Sequence, residues 1–286
     1  TLYMEEKFIE RLNIEESEMK DNTEEVLDIY IPEPQKAVTD MPSEIRTCED
    51  MLQLQHLMAS YRGDYLVLYR GHEDINYKMK STIVRFLGNE KGISTDEISA
   101  KEKIGFDLFH KNVFKKEWLE HKIKNLNEDF YAMSIGRHLG LPCRLFDVTA
   151  SLRTAVWFAV MNPNYYSKDG ELIVILLKKE RFKNKKISPF DQRDEINYAH
   201  EPFCADNWSN IPVGEYRRFI QNGHFLWVNN DNLLNEEETI ENNCKIYKIK
   251  IPSSSKISLA KEFYRDVYKG YGFESEIESI KNIMRK

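Results

Sequence analysis

The sequence predicts an α+β fold: a central mixed or antiparallel sheet flanked by helices, over residues 47–286. A helical extension and a Pro-containing arm, residues 1–46, precede it. Three observations predict this. Short β-rich runs at Tyr65–Tyr69, Cys143–Thr149, Glu171–Leu177, Gly223–Val228 and Lys245–Ile251 read as strands. Stretches between them carry apolar residues at helical spacing. With 286 residues, 41% hydrophobic and 12% aromatic, the chain can bury a core for one large or two modest domains.

Taken in order, residues 1–25 read as an acidic amphipathic helix bearing Phe8, Ile9, Leu12 and Ile14, and Pro32, Pro34 and Pro42 punctuate the arm. Thr47 with Asp50 is a capping-box pair that starts a helix with Met51, Leu54, Leu57 and Met58, closed at Gly63-Asp64. The strand Tyr65–Tyr69 delivers Arg70-Gly71 at its end. Thr95 to about Leu126 reads as a helix with a core stripe of Phe106, Phe109, Val113, Phe114 and Trp118. A second helix starts at Asn127, carries Phe130, Met133 and Ile135, and is stopped by Gly140 and Pro142. Ser151 opens a helix with Ala155, Val156, Phe158 and Ala159. Residues 180–215 show few regular periods and read as a long loop or lid. The run Lys245–Ile251 alternates Lys outward with Ile or Tyr inward, and two helices close the chain.

Composition narrows the function classes. No apolar run approaches the roughly 20 residues of a membrane span, and the first residues show no secretory pattern, so a cytoplasmic protein is expected. The four cysteines, Cys48, Cys143, Cys204 and Cys244, have no metal-finger or C-x-x-C spacing and read as buried free thiols. A net charge of -6 argues against a broad nucleic-acid surface. The basic cluster Lys178–Lys186 reads as a solvated turn.

Three motifs carry chemistry. In Tyr69-Arg70-Gly71-His72, an Arg leaving a buried strand can bind an anion with its planar fork, and the Gly lets a ligand approach the backbone. The alternative is an Arg paired with a core carboxylate such as Asp147. In His138-Leu139-Gly140-Leu141-Pro142-Cys143-Arg144-Leu145-Phe146-Asp147-Val148-Thr149-Ala150-Ser151, period two puts Asp147 and Thr149 on one strand face and Arg144, Phe146 and Val148 on the other. Ser151 either caps the next helix or meets a ligand. In Gln221-Asn222-Gly223-His224-Phe225, a Gln and a Gly precede an apolar strand, which a hairpin turn would also explain.

In order and content these motifs resemble the FRG domain, marked by an aromatic-Arg-Gly motif that reads Tyr69-Arg70-Gly71 here. The family's His-x-Gly-x-Pro-Thr-Arg-Leu-Leu-Asp-x-Thr run and Ala-x-x-Phe-Ala helix correspond to His138–Thr149 and Ala155–Ala159, with Cys143 and Phe146 as departures. The resemblance covers about residues 47–286. A weaker resemblance is to mono-ADP-ribosyltransferases: Arg70 on an early strand, Asp147–Ser151 leading into Ala155 and Phe158, and Gln221 where those enzymes carry a catalytic Glu. It implies a split sheet and NAD as substrate. The implied catalytic set is Arg70, Thr149 and Gln221; Tyr69, Gly71, His138, Arg144, Asp147 and Ser151 would bind substrate, and no metal is expected.

Cleaving the nicotinamide–ribose bond develops oxocarbenium charge, and a neutral Gln221 stabilises it less than a carboxylate, by on the order of 3 kcal/mol. Glu215 and Glu274 are the alternative carboxylates. Three readings stay open: an ADP-ribosyltransferase or NAD hydrolase, a non-catalytic nucleotide or ADP-ribose module, and a phosphodiester enzyme using His138, Arg70 and Arg144. The partners implied are a small nucleotide, a protein or nucleic-acid acceptor, and a second copy through the N-terminal arm. The resemblance also implies a bacterial or phage conflict role.

Overall fold

The computed structural model describes residues 40–271, except 88–91, 113–127, 139, 182–187, 191–193 and 201–222. The expectations for residues 1–39, Gln221, Glu215, Glu274, Cys204 and the second closing helix lie outside the described residues. The described residues belong to a compact unit that begins at Thr39.

Its centre is a six-stranded sheet: β1 (Tyr65–His72), β2 (Phe146–Thr149), β3 (Gly170–Lys178), β4 (Ile196–His200), β5 (Gly223–Val228) and β6 (Lys245–Ile251). The order is β4-β5-β2-β1-β3-β6, and every pair is antiparallel. Seven α-helices are described: α1 (Cys48–Tyr61), α2 (Thr82–Leu87), α3 (Thr95–Asn112), α4 (Glu128–His138), α5 (Leu152–Val160), α6 (Glu236–Asn243) and α7 (Ser253–Tyr271). The chain is therefore α+β with a fully antiparallel sheet.

Apolar burial on both sheet faces holds this layering. On one face Val67, Tyr69, Leu172, Val174 and Ile249 meet Met51, Leu54 and Met58 of α1, Ala155, Val156 and Ala159 of α5, and Leu259 and Phe263 of α7. On the other, Leu68, Phe146, Val148, Ile173, Ile175 and Leu226 meet Ile83 and Val84 of α2, Ile98 of α3 and Ile240 of α6. A third cluster joins Phe106 and Phe109 of α3 and Phe130 and Met133 of α4 to Phe225 and Trp227 of β5. Local signals set the helix starts. Thr47 and Asp50 form the reciprocal capping box of α1, and the Ser151 hydroxyl caps α5 by accepting the Thr154 N–H at 3.2 Å.

Several expectations change. Residues 43–45, read as arm, are tied to β6: the Ile45 N–H donates to the Lys250 carbonyl at 2.8 Å, and the Lys250 N–H to that of Ser43 at 3.0 Å. The strand expected from Cys143 begins at Phe146. The Cys143 N–H is taken by the Thr82 hydroxyl at 3.0 Å and the Arg144 N–H by the Glu102 carboxylate at 2.6 Å, so neither joins the ladder. β4 lies inside the stretch read as a loop, and α2 and α6 were not foreseen. Cys143 is buried, but Cys48 is exposed. Among the described residues, no helix is long and apolar enough to cross a membrane.

Candidate functional site

β1 and β2 meet at a single register position, Tyr69 opposite Thr149, whereas β1 and β3 pair along their whole length. Beyond Tyr69 the pairing with β2 stops, and a side chain takes over a ladder acceptor: Arg70 Nη1 donates to the Asp147 carbonyl at 2.5 Å. Beside this gap lies a cleft of about 370 Å³, lined by β1, β2, the start of β5, α5 and the end of α4. Tyr69, Arg70, Gly71, Asp147 and Thr149 all contribute to its wall.

Arg70 is held on three sides. Its Nε donates to His72 Nε2 at 2.9 Å, its Nη1 to Asp147, and its guanidinium lies 4.1 Å above the Phe146 ring. Burial draws its pKa from 12.5 down to about 10, with Asp147 opposing the shift, so it remains a cation at neutral pH. The Asp147 carboxylate is not Arg70's partner. Arg137 Nη2 donates to Asp147 Oδ2, while Arg137 Nε is buried without a hydrogen-bond partner among the described residues. Asp147 thus engages two guanidinium groups, one through its main chain and one through its side chain, and the cleft carries a positive excess.

Thr149 is buried, and its hydroxyl accepts the Ser151 N–H at 3.0 Å while lining the cleft. Tyr69 is buried, and its phenol is pushed up to about 12 by burial. Gly71, besides lining the cleft, has a packing use that was not expected. A Cβ there would sit 1.8 Å from the Ala155 carbonyl oxygen, so the glycine lets α5 pack on β1. The same approach brings Ala155 and Phe158 of α5 to the cleft wall. His224 of β5 closes the far side, stacked on Tyr198 with ring centroids 5.4 Å apart and its Nδ1 against the Tyr198 hydroxyl.

Two expected ligand residues are placed elsewhere. Arg144 is fully enclosed: it contacts the Glu102 carboxylate through Nε at 2.7 Å and Nη2 at 2.6 Å, and also bonds Ser99, Asn230 and the Pro189 carbonyl. It fastens α3 to the approach of β2 and is no part of the cleft wall. Ser151 is the cap of α5. His138 is the last residue of α4, with its side chain outside the described set, as is all of Gln221. Arg137 is a cleft residue that sequence reasoning missed, and His224 stood inside the Gln221–Phe225 motif without being given a role; Arg137 adjoins His138, so a neighbour of the motif was the available signal.

Gly223 opens β5, the strand expected over Gly223–Val228, and stands opposite Thr149, where it lines the cleft. Among the described residues, no group of three His, Cys, Asp or Glu side chains could hold a metal ion. No curated protein and no solved structure matches the chain. The family model of the FRG domain matches residues 66–168, a narrower span than the 47–286 of the expected resemblance. That span, which is similar to the FRG domain, runs from β1 through α4, β2 and α5 to the approach of β3 and supplies most of the cleft wall.

Proposed function

We propose that the cleft binds a nucleotide diphosphate, with NAD as the first candidate, and that the domain is an ADP-ribosyltransferase-like or NAD-hydrolysing module. One observation carries the reading. The Arg of the first strand and the Thr of the second are brought side by side on one cleft, and a second guanidinium, Arg137, stands across Asp147. Two fixed guanidinium forks suit adjacent phosphoryl groups. Phe158 adds aromatic wall for a base or nicotinamide ring. The Thr149 hydroxyl is placed to meet a ribose. The interrupted β1–β2 pairing is in keeping with a split sheet.

A second reading, binding without turnover, is favoured by a different observation. Among the described residues Asp147 is the one carboxylate on the cleft wall, and Arg137 engages it. An oxocarbenium-like centre would then depend on Gln221 or on a carboxylate outside the described residues. The phosphodiester reading loses one of its three phosphate contacts, because Arg144 is spent on Glu102.

The test is NAD binding and nicotinamide release by the purified protein, beside Arg70→Ala, Arg137→Ala and Gln221→Glu. Weaker binding in both Arg variants, by about tenfold or more, is the expected outcome. A rise in nicotinamide release in Gln221→Glu would put that residue at the reacting carbon. Binding without release in every protein would favour the non-catalytic module. A wild type that binds neither NAD nor ADP-ribose would overturn the nucleotide reading.

A further inference from the structure

His72, two residues beyond Arg70 on β1, is absent from the cleft wall and is buried to 4% exposure. Its Nε2 accepts the Arg70 Nε–H at 2.9 Å, so that nitrogen carries a lone pair. The proton of the neutral ring must then reside on Nδ1. Nδ1 faces the buried Glu171 carboxylate at 3.8 Å, beyond hydrogen-bond reach, and has no partner among the described residues. Glu171 stands opposite His72 on β3, so the sheet register aligns Arg70, His72 and Glu171 in a row leading away from the cleft. Burial lowers the His72 pKa, with Glu171 opposing and Arg70 and Arg85 adding to the effect, so the ring stays neutral at pH 7.

Arginine has five N–H donors in a rigid fork. His72 takes one and the Asp147 carbonyl another. With Phe146 beneath, these contacts fix the plane of the guanidinium and leave its remaining N–H groups for a ligand.

We infer that His72 is a positioning residue, which holds the Arg70 fork in one orientation through a bare Nε2 and thereby sets the affinity of the cleft for a phosphorylated ligand. The inference deepens the nucleotide reading and rests on it for the ligand. The role demands a neutral acceptor at this point of the strand. A side chain that fills the space without accepting would free Arg70 to turn, and part of its binding would go into ordering it again.

The test compares the full chain with His72→Leu, which cannot accept, and His72→Gln, whose amide oxygen can. ADP-ribose is the probe, its affinity is read by calorimetry, and circular dichroism confirms that each variant folds. His72→Leu is expected to bind about tenfold more weakly and His72→Gln to recover most of that loss. A role in packing alone would not separate the two. Nitrogen NMR of the wild type should show His72 protonated on Nδ1 and bare on Nε2, with a slowly exchanging Arg70 Nε–H that His72→Leu releases. A proton on Nε2, or equal ADP-ribose affinity in wild type and His72→Leu, would overturn the inference. If the wild type binds no ADP-ribose, the nucleotide reading fails, and the NMR result alone then decides whether His72 positions Arg70.

Discussion

Arg70 and Arg144 lie on or beside neighbouring strands, and both come from motifs that promise anion binding, yet the fold uses them in opposite ways. Arg144 is fully buried, and its five N–H groups find acceptors on Glu102, Ser99, Asn230 and Pro189. Arg70 donates to His72 and to the Asp147 carbonyl and lies on a cleft. The residue type does not separate scaffold from site; the count of unspent donors does. A guanidinium whose every N–H is satisfied by protein has nothing left for a ligand.

The comparison breaks most sharply on stability. Arg144→Met would strand the Glu102 carboxylate, 2% exposed, in the interior. A loss of about 3–5 kcal/mol is expected in urea unfolding, largely recovered by the double change with Glu102→Leu. Arg70→Ala should cost far less stability and lose nucleotide binding instead. Equal destabilisation by the two would mean that Arg70 is scaffold as well.

A second buried acid sharpens the electrostatic side. Glu236, at the start of α6, accepts the Ser81 N–H at 2.6 Å, and burial raises its pKa from 4.5 to about 7. The folded chain therefore holds a proton that the unfolded chain releases between these two values. The stability this gives is complete below pH 4.5 and is lost as pH rises through 7, by on the order of 3 kcal/mol. Urea unfolding at pH 5 and pH 8 should show the decline in the wild type and a flatter profile in Glu236→Gln. A contribution that grows with pH would show that Glu236 is ionised in the folded state.

Gly71→Ala probes the joint between the cleft and its supporting helix. The added methyl would meet the Ala155 carbonyl oxygen at 1.8 Å, which forces α5 outward. A loss of about 1–3 kcal/mol is expected in thermal unfolding, with weaker nucleotide binding because Ala155 and Phe158 move with the helix. Unchanged stability would mean that α5 yields freely and that the glycine serves the ligand instead.

What the sequence disclosed divides along the same line, between local and distant partners. The capping box at Thr47 and Asp50 involves residues three apart, and the chain itself displays it. Period two alone puts Asp147 and Thr149 on the cleft side while Phe146 enters the opposite core; Val148 belongs to that core and also reaches the cleft wall. The apolar run of β3 leaves little choice but a central strand. By contrast, Arg144 was assigned to a ligand because Glu102 lies 42 residues upstream, on α3. Arg137 was missed because its partner Asp147 is ten residues on, beyond the break at Gly140 and Pro142. β4 is a short edge strand that puts Ile196 in the core with Tyr198 packed against it, two apolar positions in a polar stretch and too brief an alternation to stand out. α6 has three Glu in its first turn and only Thr239 and Ile240 for an apolar face, so helix periodicity is nearly silent there.

The smallest expected effect isolates Thr149 from its neighbour. Ser151 was expected to meet either a ligand or a helix N-terminus, and its hydroxyl accepts the Thr154 N–H as the cap of α5. Thr149 lies two residues earlier, at the end of β2, and its hydroxyl accepts the Ser151 N–H from the cleft wall. Ser151→Ala removes one cap, worth about 1 kcal/mol, and should leave nucleotide affinity unchanged. Thr149→Val keeps the branched shape and strand preference but removes the hydroxyl, so it should weaken ADP-ribose binding more than Ser151→Ala does. Paired measurements of unfolding midpoint and ADP-ribose affinity would separate the two roles. If Ser151→Ala weakened binding as much as Thr149→Val, the hydroxyl pair would act on the ligand together, and the division between cap and cleft at this corner would fail.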